Sequence, residues 1–322
     1  MAVCLTGSIH GIFLAPKDHP RRPPMTITIA TSEIDTTFYT QGQALAAVIM
    51  ERDPGCEIEV LASNGSVENA RNLDSGEIDF GFMASNWAAY ARAPRGPFER
   101  VMELALVAPV NTGPLFFVAR ADAGITGFSG LKGRILAPGR RDSGMVQHLA
   151  TIFDVLGWSM DDVELRYLNI AEGIEALRNG TIDAQFQVPI PNQHIIDLTE
   201  SLDVRVVPFA EDQLEAILDQ VPFYRRCTIA KGAFRGHDAD VVTPGVVNVL
   251  ATGTHADEAR VHKVASALIE AQGTLARRNP LFVTLAELFD DARSQGAAVL
   301  APGGVPLHPG AVRAFTEAGY LG

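Results

Sequence analysis

A chain of 322 residues is long enough for two domains with sizeable cores. Its 47% hydrophobic and 20% charged residues describe an ordinary globular protein, and a net charge of −12 excludes the broad basic surface that nucleic acid requires. No stretch reaches the roughly 18–20 apolar residues of a membrane-spanning helix, and three cysteines (Cys4, Cys56, Cys227) form neither a CxxC pair nor a disulfide framework.

Residues 1–24 are a poorly defined N-terminal segment. Ala2, Val3 and Leu5 begin an apolar run, but no basic region precedes it and Gly7, Ser8 and His10 interrupt it, so it does not make a convincing secretory signal. Residues 26–30 alternate as a strand. A polar segment over 31–39 leads to an Ala-rich helix around 41–52, then a strand over 57–61. The loop Ser63-Asn-Gly-Ser66 opens a helix over 67–75 with Ser66 at the capping position, and 78–83 is a third strand. This β-α-β-α-β order implies a parallel sheet. Residues 104–110 and 115–120 read as strands near a crossover. The plan then recurs as strand 134–137, loop 139–144, helix 145–156 ended by Gly157, strand 164–168, helix 171–179 and strand 182–186. Strands at 204–209 and 246–250, a long helix over 255–278 and Gly/Pro-rich turns complete the chain.

The recurrence is written in the residues. Gly76-Glu-Ile-Asp-Phe-Gly-Phe82 returns as Gly180-Thr-Ile-Asp-Ala-Gln-Phe186, and the same offset pairs Glu68 with Glu172 and Leu73 with Leu177. Each copy reads as a helix stopped by a glycine and followed by a short strand. Two such joints imply two similar α/β lobes with a ligand cleft between them. The expected division is a discontinuous lobe I, 25–110 plus 246–322, and an inserted lobe II, 111–245.

In open parallel sheets ligands collect at the carboxyl ends of strands, where helix N-termini present unpaired N–H groups. The loops so placed are 31–39, 63–69, 84–86 and 139–145, followed by Pro189-Ile-Pro191-Asn192. Thr36, Thr37, Phe38, Tyr39 and Asn64 are candidates on this ground, although Phe38 and Tyr39 read equally as core. Ser66 and Ser143 read equally as helix caps. Arg140 and Arg141 read either as a solvated pair or as a bidentate carboxylate clamp. Asp79 and Asp183, equivalent in the repeat, read as structural groups at a strand start. HExxH, GxSxG, Walker A and GxGxxG are all missing, and the eight histidines show no metal spacing. The chain is read as a binding protein with no catalytic residue, cofactor or metal assigned.

Several short motifs fall in a familiar order: Ser66-Val-Glu-Asn69, Leu73-x-x-Gly-Glu-Ile-Asp79, Ser85-Asn-x-x-x-Tyr90, Gly130-Leu-Lys-Gly-Arg134, Ser143-Gly144, Val188-Pro-Ile-Pro-Asn192 and Pro306-Leu-His-Pro-Gly310. From Met25 to Gly319 the chain resembles the TAXI family of TRAP transporter solute receptors. The resemblance implies a two-lobed α/β fold of the periplasmic-binding-protein type (type II), with parallel-rich sheets and helices on both faces. It also implies a monomer that binds a small organic acid, a dicarboxylate or a glutamate-like acid, outside the cytoplasmic membrane and delivers it to an integral-membrane TRAP permease. The pocket positions it carries over are Ser66, Asn69, Ser85 and Asn86 on one lobe, facing Ser143, Gly144, Pro189 and Asn192 on the other. Two stretches depart from the family. Glu33-Ile-Asp-Thr36 stands where a Gly-Thr-Gly-Gly-type loop is usual and adds two carboxylates, Glu33 and Asp35, while Gly139-Arg-Arg-Asp142 replaces a loop of small residues. The alternative reading is a cytoplasmic enzyme or ligand sensor on the same fold.

Overall fold

A computed structural model describes residues 25–34, 36–141, 143–187, 190 and 193–322. The N-terminal segment, Asp35, Asp142, Pro189 and Asn192 lie outside the described residues.

Two separate sheets organise the chain. Strand β1 (Met25–Ala30) leads through α1 (Thr37–Arg52) to β2 (Cys56–Leu61), and α2 (Ser66–Ser75) leads to β3 (Phe80–Ala84). β1 lies between the other two and pairs both in parallel, with Ile27 opposite Ile58 and Ile29 opposite Phe80. Helix α3 (Ser85–Arg92) follows at once and precedes the long strand β4 (Leu104–Pro114). The second sheet begins with β5 (Phe116–Arg120) and β6 (Ile135–Ala137). It continues through α4 (Gly144–Val155), β7 (Glu164–Leu165), α5 (Ile170–Arg178), β8 (Ala184–Gln187), α6 (Gln193–Thr199) and β9 (Val204–Val207). There β6 lies between β7 and β8 and is parallel to both, and β5 and β9 extend the sheet beyond β8.

Helix α7 (Glu211–Gln220) precedes a hairpin of β10 (Tyr224–Ile229) and β11 (Val241–Gly253). β4 runs along β11 from Gly245 opposite Pro114 to Gly253 opposite Leu104, while β3 holds the other edge of β11 from Asn248 to Thr252. β4 and β11 read as almost unbroken apolar runs because both faces are covered. The remaining helices are α8 (Glu258–Glu270), α9 (Gln272–Arg278), α10 (Leu285–Gln295) and α11 (Pro309–Glu317). They pack Leu268, Phe289 and Phe315 against Ile27, Leu45 and Phe82 of the first sheet and its α1. Each such side chain, fully removed from water, contributes roughly 1.5–3 kcal/mol.

The repeated joint does the same work twice. Gly76 and Gly180 close α2 and α5 in the left-handed region, at φ 77° and 73°. Asp79 Oδ2 then accepts from the backbone N–H of Thr28 at 2.9 Å, and Asp183 Oδ2 accepts from that of Ile135 at 2.9 Å. Each carboxylate thus ties the start of its own strand to the parallel strand beside it, and the structural reading of the pair holds.

Several expectations need correction. Thr37, Phe38 and Tyr39 form the first turn of α1, so the loop after β1 is shorter than expected. Residues 84–86 are not a loop, because α3 starts at Ser85. The expected helix over 255–278 is two helices broken at Ala271 (φ −110°, ψ 18°), and the C-terminal turns are instead α10 and α11.

Candidate functional site

The carboxyl ends of the first three strands meet in a bonded node. Thr31, fully buried, donates to Leu61 O from N at 3.0 Å and from Oγ1 at 2.7 Å. Its own carbonyl accepts from Ser63 Oγ at 3.1 Å and Asn69 Nδ2 at 2.8 Å, and Asn69 Nδ2 also reaches Phe82 O at 2.8 Å. The Asn69 amide therefore splices β1 to β3. Ser66 is not the cap of α2: Gly65, at φ 91°, holds that place, and Ser66 Oγ accepts from Ala84 N at 3.2 Å. Asn64 donates from its backbone to Glu68 Oε2 at 3.1 Å. These three predicted residues are spent on the scaffold, apart from Asn69 Oδ1, which has no partner among the described residues.

Around this node the first turn of α1 brings a second set. Thr36 holds the N-cap position, yet its hydroxyl donates to Glu33 O at 2.5 Å and makes no cap bond. Thr37 and Tyr39 are half-buried there, and Phe38 stacks on Phe82 with ring centroids 5.9 Å apart. One turn on, the fully buried Gln41 donates from Nε2 to Asn111 Oδ1 at 3.3 Å. Asn111 lies opposite Asn248 on β11, and Asn248 lies opposite Ala84 at the end of β3. Directly opposed residues share a face of a sheet. Uncharged amides thus line one face at the level where β3 stops.

The other face belongs to α3 and α4. Ser85 Oγ donates to Phe223 O at 3.4 Å. Asn86 is 2% exposed, and its Oδ1 has no partner among the described residues. Tyr90, four residues on and so on the same face, meets Phe223 edge-on at 5.9 Å. Trp87 turns toward the second sheet's α4: a Cβ on Gly144 would stand 3.4 Å from Trp87 Nε1. Ser143, in the N-cap position of α4, makes no cap bond, and its buried Oγ has no partner among the described residues. The arrangement brings Trp87 of α3 against Gly144 at the start of α4.

The charges sit at the rim. Arg140 Nη2 lies 3.4 Å from Glu33 Oε1, with both side chains mostly exposed, so the predicted clamp residue reaches across to the carboxylate set against it. Arg141 instead lies over the Tyr167 ring, 4.0 Å from its centroid. Among the described residues no Asp, Glu, Lys or Arg is fully buried. Behind the contact, the His148 Nδ1 and Tyr224 hydroxyl are 2.7 Å apart, and burial pushes the imidazole down to about 4 and the phenol upward. A groove of about 520 Å³ lined by Arg166, Leu168, Glu172 and Ile182 flanks α5, away from these strand ends. Among the described residues, no group of three or more His, Cys, Asp or Glu side chains is placed to hold a metal ion.

Sequence reading missed Gln41, Trp87, Asn111 and Asn248. Their signal was available as a lone amide inside each apolar run (Val110-Asn111, Val247-Asn248-Val249) and an indole directly after Ser85-Asn86.

Two separate sheets with helix starts gathered at their strand ends define the two-lobed solute-binding-protein fold. The chain belongs to the NMT1-like family, whose profile matches residues 29–319. It is similar to a putative sulfonate ABC transporter component, the periplasmic sulfonate-binding protein SsuA from Methylobacillus flagellatus KT, at 15% identity. That match covers 92% of this chain and 95% of that one, with a TM-score of 0.52. It is also similar to a Xanthomonas citri protein bound to ATP, at 16% identity over 92% of this chain and 96% of that one, with a TM-score of 0.51.

Proposed function

We propose that this chain is the extracytoplasmic solute-binding subunit of a TRAP-type transporter of the TAXI kind. It works as a monomer, holding a small organic acid between its lobes and delivering it to an integral-membrane permease. The carrying observation is that three of the five buried side-chain oxygens left without partners among the described residues, Gln41 Oε1, Asn86 Oδ1 and Ser143 Oγ, lie in or beside the first turns of α1, α3 and α4. An unpaired buried polar atom costs about 1–3 kcal/mol, and a bound polar solute removes that cost. The starts of α1, α3 and α4 carry no cap bond from the N-cap side chain, which leaves their N–H groups for a carboxylate.

The lobes in this reading are 25–110 plus 246–322 and 111–245, with the hinge where β4 and β11 pass between the sheets. Its support is the packing of Ile229 and Phe234 with Phe116 and Val118 of the second sheet. Ser85, Asn86, Ser143 and Gly144 are the proposed contact residues, with Thr37 and Tyr39 at the rim. Titration calorimetry of the purified chain against a panel of organic acids tests the binding, and uptake into vesicles carrying the candidate permease tests delivery. Binding without uptake through an ion-driven permease would leave a binding protein of another transporter type or a sensor.

A further inference from the structure

Resting on that reading, and narrowing its solute class, we infer that the end of the solute that reaches the crossover strands carries an uncharged hydrogen-bond donor (a hydroxyl, an amide or a ring N–H) and neither a carboxylate nor an ammonium. The atoms that wait there are oxygens. Gln41 is fully buried and its Oε1 is unpartnered among the described residues, while its Nε2 is already given to Asn111. Asn86, 2% exposed, lies on the α3 face that Tyr90 turns to Phe223, and its Oδ1 is likewise unpartnered. An acceptor is satisfied only by a donor. A carboxylate placed against either of these oxygens brings lone pairs to lone pairs.

An ammonium would bring donors, but a buried charge needs a buried counter-charge. The one nearly buried carboxylate among the described ion pairs, Asp74 at 6% exposure, lies in the last turn of α2 and is already engaged by Arg100 and the Glu103 N–H. Glu33 is mostly exposed and engaged by Arg140, and Glu68 is engaged by Asn64 at the start of α2. The remaining polar groups of this layer (Asn111, Asn248, Ser85, Ser143) are neutral as well. A neutral donor pairs with the amide oxygens at no cost in buried charge. The carboxylate of the same solute is left to the helix starts, whose N–H groups need no cation.

The test uses four acids on one carbon skeleton against the full chain in calorimetry: succinate, aspartate, malate and succinamate. The expected result is that succinamate binds at least about tenfold tighter than succinate, aspartate and malate, each of which carries a carboxylate at both ends, the discrimination of one satisfied buried hydrogen bond. In Asn86→Ala that margin shrinks several-fold. In Asn86→Asp the added carboxylate supplies the missing counter-charge, and the order turns toward aspartate. Succinate, aspartate or malate binding as tightly as succinamate in the native chain overturns the inference and leaves the organic-acid reading intact. So does an order of preference that neither Asn86 variant changes. Failure of every acid to bind a chain that melts cooperatively overturns the proposed function, and this inference with it.

Discussion

A Cβ on Gly173 of α5 would stand 2.4 Å from Gln185 Nε2 on β8. The equivalent pair in the first unit has the sizes reversed: Asn69 of α2 lies over Gly81 of β3, where an added Cβ would meet Asn69 Cβ at 3.1 Å. One helix-to-strand contact in each unit therefore accepts a single amide side chain, supplied by the helix in one and by the strand in the other. Asn69 uses its N–H groups on Thr31 O and Phe82 O, and Gln185 uses Nε2 on Ile170 O at 3.1 Å. Gly173→Ala overpacks this contact and is expected to destabilise the chain by about 1–3 kcal/mol. The double variant Gly173→Asn/Gln185→Gly restores the arrangement of the first unit. It is expected to lose less than the sum of its two single changes, because contacting residues are not additive. Urea unfolding midpoints of the three variants decide the matter; a strictly additive double variant counts against this size exchange.

How much of this was legible in the sequence follows from what sequence can carry. The two Gly-x-Ile-Asp joints were readable because a left-handed glycine and a strand-start aspartate each leave a residue-specific mark. Gly173 and Gln185 sit at the same offset but exchanged roles, so identity between the copies failed there although geometry was kept. Helix α3 went unread because Ser85–Arg92 follows β3 with no cap and no turn residue between them. Helix α11 was taken for a turn on account of its Pro and Gly. Pro309 in fact occupies the first helical position, where a missing N–H costs nothing, and His308 Nδ1 accepts from Gly310 N at 3.2 Å. The break at Ala271 has no turn residue to announce it. Of the candidate site, the strand-end loops were legible from topology. Which side chains were spent on the scaffold, as Asn69 and Ser66 are, was not, because that depends on contacts between segments far apart in the chain.

The Glu33–Arg140 pair sets a latch against a clamp. Mostly exposed ion pairs are worth about 0–1 kcal/mol, so as a latch it contributes at most several-fold to affinity through closure. Arg140→Glu is expected to weaken solute binding modestly, and Glu33→Arg/Arg140→Glu to restore it, both effects fading at high salt. If Arg140 instead holds the solute carboxylate, its loss costs about 1.5–3 kcal/mol whatever stands at position 33. Calorimetry of the two single variants and the exchanged pair, at low and high salt, separates the two.

Gly144 gives Trp87 its room. A methyl group fits at 3.4 Å from the indole nitrogen, but the branched side chain of Gly144→Val does not. We expect that variant to weaken solute affinity at least about tenfold and, because Trp87 belongs to the apolar core, to cost about 1–3 kcal/mol of stability as well. Trp87 fluorescence, read with Trp158 replaced by Phe, should move to longer wavelength as the indole meets water. An unshifted spectrum with unchanged affinity would remove this contact from the closing mechanism.

His148 makes stability depend on pH. Burial holds its imidazole near 4 against an ordinary 6.5, so in the folded chain the ring stays neutral at 2.7 Å from the Tyr224 hydroxyl. Below 6.5 the unfolded chain takes up a proton that the folded chain refuses, and stability falls as pH falls. The contribution is fully present above 6.5 and is lost progressively down to about 4. Between pH 7.5 and 5 the loss from this group alone is roughly 2 kcal/mol, at 1.36 kcal/mol per unit. His148→Gln cannot titrate and is expected to flatten that part of the profile, whatever it costs in absolute stability. Urea unfolding of both proteins at pH 7.5, 6 and 5 provides the comparison. Parallel profiles would mean that the ring takes up its proton in the folded state, and that the His148–Tyr224 contact opens to water well before the chain unfolds.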